Sequence, residues 1–126
     1  MATKAEELRA VLDNLSRIGG IKASAVISAD GLPIAPSIPE NIDPNNFAAM
    51  ISSMMGAAEY ALKSLGSSNV LKGVNAESDD ATIVAVQAGS DAILAMMVDP
   101  KAASNYGLIR IEANRASKEI ARIMAE

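Results

Sequence analysis

The chain has 126 residues, half of them hydrophobic, a net charge of −4, and neither cysteine nor histidine. That length supports one domain with a sizeable core, not two, and the missing thiols and imidazoles exclude a disulfide framework, thiolate chemistry, the commonest general base and nearly all zinc sites. Acidic balance, with Phe47, Tyr60 and Tyr106 as the whole aromatic complement, argues against nucleic acid as a partner, because that needs a basic face or stacking rings.

MATKAEELRA opens the chain as a polar helix start, without the apolar stretch of a signal peptide. No run reaches the roughly 18 apolar residues of a membrane span, so a cytoplasmic protein without membrane insertion is expected. Thr3 and Glu6 stand at capping-box spacing. Leu8, Val11, Leu12, Leu15 and Ile18 then form one helical stripe, and Gly19-Gly20 stop it, predicting a helix over about 4–18. IKASAVISA (21–29) reads as a strand, Asp30-Gly31 as a hairpin turn, and LPIAP as a return strand. The two prolines of that strand place it at a sheet edge. Asp43 caps the second helix with Pro44 at its first position. SNVLKGVNAE (68–77) is a weak strand; ATIVAVQA (81–88) and AILAMMVD (92–99) are strong ones, joined by a two-residue turn at Gly89-Ser90. Both strong strands are apolar at odd and even positions, so each face of the sheet needs cover. A third helix over about 105–125 buries Ile109, Ala113, Ala116, Ile120, Ile123 and Met124. The expected fold is α/β in the order α-β-β-α-β-β-β-α, a single domain over 1–126. It has five mostly antiparallel strands and helices on both faces of the sheet.

The second helix, NFAAMISSMMGAAEYALKSLG over 47–66, has two distinct sides. At 100° per residue, Phe47, Met50, Ile51, Met54, Met55, Ala58, Ala61, Leu62 and Leu65 share a broad face that packs on the sheet, with methionine as gap-filler. Opposite it, where a surface helix normally carries charge, stand Ala49, Ser53, Gly56, Ala57, Tyr60 and Ser64, beside the single pair Glu59 and Lys63. Small residues at this spacing form a shallow groove that a second helix could approach closely. The weak third strand, with Val70, Leu71, Lys72, Gly73 and Val74, points the same way. As the far edge of the sheet it could pair with its own copy across a two-fold axis. These residues form the expected homodimer interface.

No phosphate-cradling glycine loop, dinucleotide fingerprint or nucleophile elbow is present, so no catalytic residue, cofactor or metal site is nominated. Asp79-Asp80 reads as a solvated loop. On the third helix, Ile111 sits among Arg115, Lys118 and Arg122 on the outer side, a candidate partner-docking patch.

NYGLIRIEANRASKEIARIM (105–124) resembles the closing helix of the Roadblock family, which typically reads Asn-Leu-Gly-Leu followed by alternating basic and apolar residues. GGIKASAVISADGLPIA (19–35) resembles that family's first hairpin. The element order agrees along essentially the whole chain, and the form looks prokaryotic. The resemblance implies a profilin-like sandwich whose members pair through the third strand and the middle helix. It also implies a non-enzymatic platform for a Ras-like small GTPase; in the MglB-like subgroup such a platform stimulates GTP hydrolysis by reorganising the GTPase's own switch regions. A structural scaffold of a larger assembly, indifferent to nucleotide, is the alternative, and a small-ligand sensor a third.

Overall fold

Thr3 and Glu6 cap the first helix reciprocally: the Glu6 amide donates to Thr3 Oγ1 (3.1 Å) and the Thr3 amide donates to Glu6 Oε1 (3.4 Å). The computed structural model describes residues 2–68 and 70–126, without the side chains of Pro36, Ser37 and Ala103. Asn69, part of the expected third strand, lies outside the described residues. Helix α1 is Lys4–Ser16, β1 Ile21–Ser28, β2 Pro33–Ser37, α2 Pro44–Ser64, β3 Gly73–Glu77, β4 Thr82–Ala88, β5 Ala92–Val98 and α3 Tyr106–Met124. The strands form one sheet in the order β2-β1-β5-β4-β3, and every neighbouring pair is antiparallel.

Period-two alternation divides the apolar strands between two cores. Val26, Leu94 and Met96 point to one face, where Leu8, Leu12 and Leu15 of α1 and Ile109, Ile120 and Ile123 of α3 cover them. Ala25, Ile27, Ile93 and Ala95 point to the other, beneath Ala48, Ile51 and Met55 of α2. The profile of two greasy sides therefore has its expected cause. α1 and α3 lie antiparallel: Lys4 Nζ donates to the Glu126 carbonyl (3.0 Å), and Asn105 Nδ2 donates to the Gly19 carbonyl (2.9 Å).

Several expectations need correction. α1 stops at Ser16, because the turn that follows is shaped by Gly20 at φ 101°. The β4–β5 connection is a three-residue turn, since Ala88 pairs with Ala92; Gln87 Nε2 donates to the Gly89 carbonyl and closes it (2.7 Å). A 3₁₀ segment, Pro100–Asn105, precedes α3, and Met124 is only partly buried.

The largest difference concerns α2. Ala48 is buried with Ile51 and Met55, and Phe47, Met54 and Ala58 pack partly beside them. Met50 is 57% exposed and Leu65 83%. Directly below the helix, Ala25 faces Ala95 and Ala95 faces Ala85 across β1, β5 and β4. This row of small side chains lets α2 settle on a narrow arc of small and medium residues. The helix then outruns its support: from Tyr60 to Gly66 every residue is exposed.

Candidate functional site

The overhanging end of α2 and the strand that follows form the first of two candidate surfaces. Tyr60 is 76% exposed, Leu65 83% and Val70 75%, whereas the exposed Met50 lies nearer the start of the helix. Ser53, Gly56, Ala57 and Ser64 are exposed along it, whereas Ala49 is half-buried beside the β1–β2 turn. A Cβ added to Gly56 would meet nothing within 4 Å. The two serines need no outside partner, because Ser53 Oγ donates to the Ala49 carbonyl (2.9 Å) and Ser64 Oγ to the Tyr60 carbonyl (3.0 Å). Covering this stripe would strand no hydroxyl. Among the described residues its one ion pair, Glu59–Lys63 at 3.2 Å, is exposed and internally neutral.

β3 lies at the edge of the sheet, beyond β4. The regular strand begins at Gly73, so Val70, Leu71 and Lys72 precede it. Leu71 is 7% exposed and belongs to the core beneath α2; the structure takes it off the surface that the sequence assigned it to. Lys72, Gly73 and Val74 remain at the edge, with Val74 half-buried against that core.

The second surface is the outer side of α3. Ile111 is 59% exposed, and Leu108, absent from the sequence-based patch, is exposed one turn earlier on the same stripe. The hydrophobic spacing of 108 and 111 was the signal that could have found it. Arg115 pairs with Glu112 (3.2 Å), and Arg122 pairs with Glu119 and with Glu126 (3.0 Å), so two of the three basic residues are already neutralised. Hydrogen bonding to Glu119 raises the Arg122 guanidinium above its usual range and holds the Glu119 carboxyl below its own. Between α1 and α3 runs an open groove of about 640 Å³, with Val11 and Leu15 on its α1 wall and Arg115, Glu119 and Arg122 on its α3 wall. Glu7 also lines it, with a buried Oε2 that has no hydrogen-bond partner.

Asp79 and Asp80 belong to a turn in which Ser78 Oγ donates to Asp80 Oδ1 (2.9 Å). Among the described residues no three acidic side chains cluster as metal ligands, and no helix is long and apolar enough to cross a membrane.

The Roadblock/LC7 domain matches residues 7–97. The protein MJ0714 of the archaeon Methanocaldococcus jannaschii is 39% identical over 110 residues, covering 87% of this chain and 90% of that one. The solved structure of Myxococcus xanthus MglB superposes with a TM-score of 0.88 at 21% identity, over 99% of this chain and 92% of that one. Profilin IA of Acanthamoeba castellanii shares the fold more distantly, with a TM-score of 0.64 at 19% identity over 90% of this chain and 95% of that one. The sandwich is thus profilin-like, and the chain belongs to the Roadblock/LC7 family.

Proposed function

We propose that the chain is a homodimeric, non-enzymatic regulator of a Ras-like small GTPase, and that its action is to stimulate GTP hydrolysis by that partner. The observation that supports the dimer is the end of α2, where every residue from Tyr60 to Gly66 is exposed, Tyr60 and Leu65 most of all. A helix end with no polar majority and no cover is unfavourable in water. Burial of one such large apolar side chain contributes roughly 1.5–3 kcal/mol. A second copy fits this surface because its small stripe admits a close helix and its one ion pair brings no net charge to oppose itself.

The GTPase is inferred from family membership, and the solvent-facing residues of the dimer would form the platform. The test is capture of partners from host lysate by the tagged chain, with a GTP analogue and with GDP in parallel. The proposal expects a small GTPase retained with the analogue and released with GDP, whose single-turnover hydrolysis then accelerates when the chain is added. A set of partners indifferent to nucleotide would support the scaffold reading instead.

A further inference from the structure

The groove between α1 and α3 lies on the face of the sheet opposite α2, because α1 and α3 cover one core and α2 the other. Its apolar lining is Val11, Leu15 and Ile123, with the small Ala10 and Ala116. Its charged lining sets three carboxylates against two guanidiniums, and both guanidiniums are taken. Arg115 pairs with Glu112 (3.2 Å), and Arg122 with Glu119 and Glu126. Glu7 is left over. Its Oε2 is buried and has no hydrogen-bond partner among the described residues. Neighbours able to answer a helical carboxylate stand three and four residues away. On one side these are Ala10 and Val11; on the other they are Thr3, bonded to Glu6, and Lys4, which donates to the Glu126 carbonyl (3.0 Å). The place of Glu7 in the first turn of α1 favours its charge through the helix dipole, but the dipole gives Oε2 no donor. A buried acceptor without a donor is destabilising, and more so when charged. The groove therefore complements a cation carried on an apolar support.

We propose that this groove docks a basic amphipathic helix of a partner protein, whose lysine or arginine reaches Glu7 while its apolar side lies on Val11, Leu15 and Ile123. At about 1.5 Å per residue the α3 wall from Glu112 to Ile123 is roughly 16 Å long, which matches three helical turns. The helix would lie as a third member over α1 and α3, its side chains set into the groove between them. The inference goes beyond the role given to α2: the two surfaces are on opposite faces of the sheet, so occupancy of one leaves the other open.

The probe is a fluorescein-labelled synthetic peptide of about 12 residues, with leucine at three- and four-residue spacing and lysine on both flanks. Two comparison peptides carry glutamate for lysine, or the same residues scrambled. Fluorescence anisotropy against the full chain should show saturable binding of the lysine peptide, at least about tenfold tighter than either comparison. Glu7→Gln should weaken that binding about tenfold or more. Ala10→Arg, which puts bulk and a cation into the groove, should abolish it. Glu40→Gln, which removes the same charge from an exposed loop residue, should leave it unchanged. Thermal melts separate docking from a structural role: with its oxygen unpartnered, Glu7→Gln should melt no lower than the wild-type chain. Absence of saturable binding, or binding that survives Glu7→Gln or Ala10→Arg, would overturn the proposal. A lower melting temperature for Glu7→Gln would do the same, by showing that the carboxylate has a partner within the chain. Tighter binding of the glutamate peptide would assign the groove to an acidic partner through Arg115 and Arg122, again overturning it. Each outcome is independent of whether the chain dimerises through α2.

Discussion

Gly20 and Ala102 approach so closely that a Cβ on the glycine would lie 2.4 Å from the Cβ of the alanine. The glycine also sits at φ 101°, where side chains are strained, and its carbonyl accepts from the Asp99 amide (2.8 Å). The contact joins the end of α1 to the 3₁₀ segment ahead of α3. Gly20→Ala should therefore lower unfolding stability by roughly 2 kcal/mol or more in urea titration. Adding Ala102→Gly should recover the steric part of that loss and leave the backbone part.

The alanine row under α2 makes a second prediction. Ala95 is fully buried between Ala25 and Ala85, and α2 has no space to yield without losing Ile51 and Met55. Ala95→Leu should cost about 1–3 kcal/mol by overpacking. Leu94→Ala, on the opposite face of the same strand, should cost roughly 2–5 kcal/mol by leaving a cavity. Denaturant melts of the two variants compare the two cores.

Gly56 separates folding from association. With nothing within 4 Å of its missing Cβ, Gly56→Ala should stabilise the helix by about 1 kcal/mol, read as a rise in melting temperature. Lys118→Glu, on the outer side of α3, should leave the sedimentation coefficient unchanged.

The pH response follows from two exposed carboxyls. The Ser28 hydroxyl holds Asp30 below its ordinary 3.8, and hydrogen bonding from Arg122 holds Glu119 below its ordinary 4.5. Each is harder to protonate in the folded chain. The stabilisation is thus complete above those ordinary values and is lost as pH falls below them through the lowered values of the folded chain. With no histidine in the chain, the melting temperature should stay nearly level from pH 8 to about pH 5 and fall below about pH 4. Glu119→Gln should soften that acid fall slightly, because the pair is fully exposed and screened by solvent.

Local signals survived folding well. The capping box at Thr3, the Asp43 cap with Pro44 behind it, the edge position of the proline-bearing strand and the buried stripe of α3 all follow from short-range chemistry. The seating of α2 did not. Helical spacing shows which residues share a side, but Ala48 and Met50 lie on either flank of Ile51, and which flank turns inward depends on the Ala25–Ala95–Ala85 row. That row exists only once three strands have paired. The burial of Leu71 was hidden for the same reason, since a residue ahead of an edge strand looks exposed until the helix above it is placed. Small, uncharged residues on the outer side of α2 were legible from composition alone; that the last turns of the helix overhang the sheet was not.

The most direct test of the account is the mass of the chain in solution at micromolar concentration, by sedimentation equilibrium, beside that of Gly56→Leu. The account expects the wild-type chain at twice its 13.0 kDa and the folded variant at the mass of one chain. A wild-type chain that sediments as a monomer, or a Gly56→Leu variant that stays dimeric, would contradict the proposed role of the exposed face of α2.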